Sequence, residues 1–358
     1  MSFYAKTSSG EHEILTGLYE TLGDISTRAE EIVIRPDRNI DYNAIVNKGI
    51  HIKKITSASA EYTFSSQSEN HLSHIELCPD DCKNFVAEKV KSFFTKVSDY
   101  DSSRKIVLGI SGGGDSNTLI ESFLASGFVQ REQIVAVMML GVPDWDKGLP
   151  RAKEICGRHG IEFRQVTSEQ VNVLLGRRTN SDWIIDFEKH YPDSDLEVLG
   201  TLGIRRSLTY VAQQVNAQAV VVGLNLEDLL AESLLRMAQG TLPLPFPIRE
   251  IDQMHFWYPL YECPKKILDG CHPKYSLQNY MDRYPSKLQA RALCYYMAQT
   301  IHAATPGFEF DLIRGLEKLS ASNRDFAMFD PDFGFSTLGQ VSLGGRTRWR
   351  RFLNGDPT

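Results

Sequence analysis

No apolar run in this 358-residue chain approaches the roughly 18 residues that a membrane-crossing helix needs, so a membrane protein is not expected. Positive charge is not in excess either. The 39 lysines and arginines face 45 acids, a formal net charge of −6, which argues against a partner gripped over a broad basic face. Cysteine is scarce, at six residues, and the N-terminal MSFYAKTSSGEHEIL carries acids early and has no apolar core. A disulfide framework and a signal peptide are therefore not expected; a cytoplasmic protein with reduced thiols is. Two nucleotide signatures are also missing: no Gly-Lys-Ser/Thr closes a Walker loop, and no G-x-G-x-x-G fingerprint occurs. Internal repeats and low-complexity tracts are absent.

What is present is the balance of a globular chain, 42% hydrophobic and 23% charged. Residues 1–80 alternate like short strands and turns. From Cys82 onward Val86, Val90, Phe93, Phe94 and Val97 recur at helical spacing. Strands and helices then alternate: strand Lys105–Ile110, helix Asn117–Ala125, strand Ile134–Leu140, helix Leu149–His159 and strand Glu162–Val166. After a long polar insertion come a helix around Ser207–Val215, strand Ala219–Leu224 and helix Leu226–Gln239. Short apolar runs of this kind suit strands covered on both faces, so the expected class is α/β with a doubly wound parallel sheet. Beyond Pro264 the pattern predicts helices over Leu288–Ala303 and Phe310–Leu319.

The most informative residues are Ser111, Gly112, Gly113, Gly114, Asp115 and Ser116, placed between strand KIVLGI and helix NTLIESFLAS. Glycines without Cβ let backbone N–H groups turn inward and approach an anion, and the helix behind adds its positive end. Ser111 and Ser116 add hydroxyl donors. Asp115 would repel phosphate, and makes sense as a magnesium ligand or a turn residue. A plain glycine turn with a polar helix cap is the alternative reading.

SGGGDS resembles the SGGxDS signature of the PP-loop (N-type) ATP pyrophosphatases, in the position that family uses. The resemblance implies a Rossmann-like, adenine nucleotide α-hydrolase-like fold and an enzyme that splits ATP between its α and β phosphates, moving AMP to a substrate oxygen. Under it residues 1–100 would be an N-terminal cap region, residues 101–262 the PP-loop ATP-binding domain, and residues 263–358 a C-terminal helical region with a basic tail. ATP would lie with its adenine near Val137–Leu140, at Met138 and Met139, and Mg²⁺ would bridge its phosphates.

A second block, GLNLEDLLAESLLRMAQG (Gly223–Gly240), resembles the G-H-N/H-x-x-D block of PP-loop enzymes that modify tRNA. Gly223, Asn225, Glu227 and Asp228 would sit at a strand's carboxyl end, where open parallel sheets place ligands. Leu224 stands where that block has histidine. An acidic first helical turn complementing the macrodipole is the alternative. IRRSLTYVAQQ, WYPLYECPKKI and KLQARAL resemble segments of the tRNA two-thiocytidine synthetase branch, whose CxxC pair and third cysteine hold an iron–sulfur cluster. Val198 and Thr201 occupy the CxxC positions here and cannot ligate iron, so such a cluster is not expected. Cys263 survives, and a lone thiol there suits a persulfide carrier or attacking group; a buried structural cysteine is the alternative.

The resemblance thus implies a sulfurtransferase that adenylates a nucleobase carbonyl and replaces it by sulfur, with Asp115, Asp228 and Cys263 as catalytic residues. A free guanine nucleotide, as in 6-thioguanine formation, is the first expectation, with Arg205, Arg206, Arg346 and Arg348 as candidates for its phosphate. A tRNA thiolase is the second; an amide-forming synthetase or a non-catalytic nucleotide-binding scaffold follow. The sulfur donor would be a cysteine desulfurase or bound sulfide, and a homodimer stays open. His71, His74, Cys78 and Cys82 form H-x₂-H-x₃-C-x₃-C, and could complete a structural zinc site. Solvated histidines and a helix-starting cysteine are the alternative.

Overall fold

The structure, a computed structural model, describes residues 2–7, 10–14, 32–35, 50–52, 60–66, 71–194, 196–276, 289–339 and 341–356. Strands β1 (Ser2–Thr7), β2 (Gly10–Ile14), β3 (Ile32–Arg35) and β4 (Ile50–Ile52) form an antiparallel sheet in the order β2-β1-β3-β4. Strands β5 (Ala60–Ser66) and β6 (His71–Leu77) pair as a hairpin, and β6 leads into helix α1 (Pro79–Lys96). Of the expected apolar stripe, Val86, Val90, Phe93 and Phe94 are buried together with Cys82, while Val97 is the half-buried residue that caps the helix end. Its start lies three residues before Cys82, because Pro79 sits at the first helical position, where a missing N–H costs nothing.

The central sheet follows. Strand β7 (Ile106–Gly109) leads to α2 (Gly114–Ser126), and β8 (Ile134–Met139) to the short α3 (Pro143–Asp146) and to α4 (Leu149–His159). Strand β9 (Glu162–Val166) closes this half. The polar insertion then holds α5 (Ser168–Leu174), α6 (Trp183–His190) and α7 (Leu196–Gln214). Strand β10 (Ala219–Val221) leads to α8 (Leu226–Ala238), and a hairpin, β11 (Ile248–Ile251) and β12 (Met254–Trp257), completes the sheet.

Its order is β11-β12-β10-β7-β8-β9, with five parallel strands and only β11 antiparallel. The expected α/β class, with a largely parallel sheet between helices, is what forms. Every residue of β8 and β10 is buried, as continuous apolar runs require when helices cover both faces. The chain builds outward from β7 through β8 to β9, then crosses back to place β10 on the other side of β7. The strand order therefore reverses between β7 and β10, and a crevice at the carboxyl ends there is where open α/β sheets hold ligands.

Beyond the sheet lie α9 (Lys265–Cys271), α10 (Gln289–Ala304) and α11 (Phe308–Ser320). The region is not helical throughout: a hairpin of β13 (Met328–Asp330) and β14 (Phe335–Thr337) precedes α12 (Leu343–Asn354). RTRWRR is thus part of a helix that buries Trp349, Phe352 and Leu353, and not an extended tail. The β5 strand is tied to the C-terminal helices by a buried polar group. Tyr62 donates its hydroxyl hydrogen to Glu309 and stacks on His302 at 4.1 Å, and His302 Nδ1 lies 2.7 Å from the same Glu309 oxygen. No helix among the described residues is long and apolar enough to cross a membrane.

Candidate functional site

Strand β7 ends at Gly109, and the chain must turn sharply before α2 begins at Gly114. Gly112 makes that turn at φ +76°, and a Cβ there would lie 2.2 Å from the Gly148 carbonyl oxygen. A Cβ on Gly114 would lie 2.1 Å from Ser276 Oγ. Two of the three glycines are therefore required by backbone conformation or contact, which a generic flexible loop would not demand. The Ser111 backbone N–H donates to Ser116 Oγ at 3.0 Å, and the two hydroxyls lie 3.1 Å apart, so the two ends of SGGGDS are clasped. Arg151 on α4 donates from Nε to the Gly112 carbonyl at 3.1 Å, bracing the turn from the side. The first N–H groups of α2 have no acceptor within the helix, and with the positive end of the dipole they would favour an anion there.

On the other side of the reversal, Asn225 caps α8. Its side chain accepts from the Asp228 N–H at 3.0 Å, while the Asp228 carboxylate accepts from the Asn225 N–H at 3.0 Å. This reciprocal box explains why Asn and Asp stand three apart, and fixes Glu227 between them. Glu227 Oε2 accepts from the Lys265 N–H at 2.8 Å. Burial pushes the Glu227 carboxyl up to about 8, although the Lys265 N–H favours its charged form.

Lys265, at the start of α9, connects the two halves. Its ammonium lies 2.8 Å from Asp115 and 2.9 Å from Asp269. Burial opposes the charge, but the two carboxylates outweigh it and hold the lysine above its ordinary range.

Ser111, Asp115, Ser116, Met138, Met139 and Gly223 line a single cavity of about 450 Å³, together with Asn225, Glu227 and Asp228. Three strand ends, those of β7, β8 and β10, thus converge on one space. Sequence reasoning missed Lys265, Trp145 and Arg151 in its wall, and Arg291, Tyr295 and Gln299 contributed by α10. The signal for Lys265 was the Pro-Lys-Lys opening of α9. Trp145 had no local signal: a Cβ on Gly200 would lie 2.2 Å from its ring, so a glycine two residues after Val198 makes room for the indole.

The remaining expected residues lie elsewhere. Arg205 donates to the Ser336 carbonyl at 2.8 Å and Arg206 to that of Leu174 at 3.1 Å. Arg346 pairs with Asp330 and Asp332, and Arg348 donates to the His190 carbonyl and lies 4.5 Å from the Tyr191 ring centre. None of these four lines the cavity. Cys263 is 0% exposed, outside the cavity lining, and burial pushes its thiol well up, which disfavours the reactive thiolate.

The zinc expectation finds no support. Cys78 is the N-cap of α1 and Cys82 is buried in that helix's apolar stripe, while the side chains of His71 and His74 lie outside the described residues. Among the described residues no group of three or more His, Cys, Asp or Glu could hold a metal. Magnesium has a different requirement, one or two carboxylates plus substrate phosphates. Asp115 and Asp228 are oxygen donors of that kind, and in this structure both Asp115 oxygens accept from Lys265 and Asp228 Oδ2 from the Asn225 N–H.

A family model described as NAD synthase matches residues 85–182. No curated protein matches the chain. Among solved structures, the U34-tRNA thiolase NcsA from Methanococcus maripaludis, with its 4Fe-4S cluster, is similar at 17% identity and a TM-score of 0.58, over 76% of this chain and 89% of that one. An NH3-dependent NAD synthetase from Campylobacter jejuni is matched at 17% identity over 69% and 95%, with a TM-score of 0.38. An NMN synthetase from Francisella tularensis is matched at 14% over 77% and 93%, with a TM-score of 0.35. Sheet order and the first of these likenesses define the fold class: a Rossmann-like, adenine nucleotide α-hydrolase-like α/β fold with a glycine loop after its first sheet strand.

Proposed function

We propose that this protein uses ATP to adenylate a carbonyl oxygen of a nucleobase, and that a sulfur nucleophile then displaces AMP. The observation that carries the reading is the convergence of the clasped glycine loop, the end of β8 and the Asn225–Asp228 block on one cavity. Phosphates would lie on Ser111–Ser116 and adenine against Met138 and Met139. The substrate oxygen attacks the α phosphorus, and the bond to the departing pyrophosphate breaks. Sulfur then adds at the former carbonyl carbon, and the original oxygen leaves with AMP. Lys265 would lie beside the phosphates, where its ammonium balances developing charge. Magnesium bound with ATP would neutralise phosphate charge near Asp115 and Asp228. Because Cys263 is buried, the sulfur is assigned to a hydrosulfide ion that reaches the cavity from outside; its sulfur is already at the oxidation level of the thione, and its proton passes to water as AMP leaves.

Of the two nucleobase substrates, a base in tRNA is favoured over a free guanine nucleotide. The four arginines expected to hold a free nucleotide's phosphate, Arg205, Arg206, Arg346 and Arg348, are engaged away from the cavity, which removes the specific support for that substrate. The likeness to a U34-tRNA thiolase supports the same choice. The NAD synthase match favours one second reading, an amide-forming synthetase in which ammonia displaces AMP from a carboxylate. Pyrophosphate release from ATP, measured with unmodified tRNA, with GMP and with a carboxylate substrate plus ammonia, separates them. Release with tRNA alone is expected; release with none of the three would leave only a nucleotide-binding scaffold.

A further inference from the structure

Helix α10 shows three kinds of surface. Cys294 and Ala298 are buried at 7% and 2%, and Leu293, Tyr296 and Met297 are exposed at 57%, 44% and 44%. Arg291, Tyr295 and Gln299 face the cavity. These last three are spaced by four, so the helical period sets them on one side. The helix is held in place by packing along α8, whose N-terminus carries the Asn225–Asp228 block. The α10 stripe is therefore a wall of the same cavity, on a helix outside the sheet whose strand ends carry the nucleotide residues.

The chemistry of that wall is specific. Tyr295 offers an aromatic face, Gln299 offers one donor and one acceptor edge, and the Arg291 guanidinium carbon lies 5.8 Å from the Tyr295 ring centre. Stacking plus an amide edge suits a planar heterocycle. Volume limits how much of the second substrate can enter. Cavities of roughly 300–1,000 Å³ hold one drug-sized ligand, and this one is about 450 Å³, enough for a nucleoside triphosphate and little more. A partner of ATP must then insert its reacting ring and leave its remainder outside the cavity.

We propose that Arg291, Tyr295 and Gln299 are the specificity-determining residues for the second substrate, and that they receive a single nucleobase presented by a larger polynucleotide. This deepens the adenylation reading and rests on it for the identity of the cavity. Tyr295 stacks on the base, Gln299 reads its edge and Arg291 holds the adjoining phosphate.

The test is equilibrium binding of unmodified tRNA and, separately, of ATP to the full chain and to Tyr295→Ala, Tyr295→Leu, Tyr295→Phe and Gln299→Ala variants. Loss of one base–aromatic stack is expected to weaken tRNA about tenfold in Tyr295→Ala and Tyr295→Leu. Tyr295→Phe should restore most of the affinity, and ATP binding should stay within about twofold throughout. Tyr295→Leu keeps an apolar side chain at the position, so a folding defect confined to Tyr295→Ala is recognised. Unchanged tRNA affinity in both aliphatic variants, equal loss for ATP and tRNA, or no tRNA binding by the unaltered chain would each overturn the proposal. Tyr295-dependent tRNA binding with no pyrophosphate release would instead sink the adenylation reading and leave this inference standing.

Discussion

A single ammonium, that of Lys265, stands between Asp115 of the phosphate loop and Asp269 of its own helix, at 2.8 and 2.9 Å. Removing it leaves two carboxylates facing each other in a partly closed site. Lys265→Met should therefore cost about 3 kcal/mol, the low end for breaking a buried pair, since the lysine side chain is 25% exposed. Chemical denaturation reads this directly, and an unchanged midpoint would contradict the role given to the lysine. Glu227, whose carboxyl burial pushes up to about 8, adds a pH signature. The folded chain keeps a proton there that the unfolded chain has already lost above the ordinary carboxylate range. Stability contributed by this group is thus present at low pH and lost as pH rises toward about 8. Glu227→Gln removes the dependence, so its melting temperature should gain on the unaltered chain between about pH 5.5 and pH 8.5. A constant difference across that range would count against the shift.

At the scale of elements, packing decided which were legible. Strands β7 and β8 are legible because their apolar runs are uninterrupted, and helix α4 because its apolar residues keep helical spacing; for α4 and for the more polar β9 the expected bounds recur in the structure. Strand β12 is not legible. It pairs with β11 through a turn at Asp252 and Gln253, both in the left-handed region at φ 53° and 59°, without the Asn-Gly that marks such hairpins. The helix expected around Ser207–Val215 begins earlier, at Leu196, as α7. Gly200 and Gly203 weaken the helical signal between those points. They are there for contact: a Cβ on Gly200 would strike Trp145, and one on Gly203 would lie 2.9 Å from Met139 Sδ. The pairing of Arg346 and Arg350 is not legible for a similar reason, since their carboxylate partners Asp330 and Asp332 lie in a hairpin that sequence spacing does not place beside them. Phe352 anchors α12 beneath Arg177, whose guanidinium carbon lies 4.7 Å from the ring centre. Phe352→Ala should cost about 3–5 kcal/mol, read by thermal or chemical denaturation, while leaving ATP affinity unchanged. A loss below about 1 kcal/mol would mean that α12 is not docked as described.

For the whole molecule, one topological fact organises the site. Reversal of strand order between β7 and β10 opens the crevice, and the residues expected from SGGGDS and from GLNLED arrive on its two sides. These were legible because local chemistry demands them: glycines for close approach, and Asn and Asp for a cap. Lys265 and the α10 wall were not, because only the fold brings them to the same space. The overall charge of −6 carries its own consequence. Arg346 and Arg350 are paired with Asp330 and Asp332, and Arg348 with the His190 carbonyl, so the C-terminal arginine cluster offers little to a phosphate backbone. Affinity for tRNA should accordingly fall by less than about tenfold between about 50 and 200 mM salt, the loss expected for two or so neutralised phosphates. A hundredfold loss would point to a basic surface that the cavity does not supply.

The most direct measurement is a crystal structure of the full chain grown with ATP and magnesium. The triphosphate should be bound by the turn from Ser111 to Ser116, with the purine against Met138 and Met139. A nucleotide bound away from that turn would contradict the assignment on which the proposed chemistry depends.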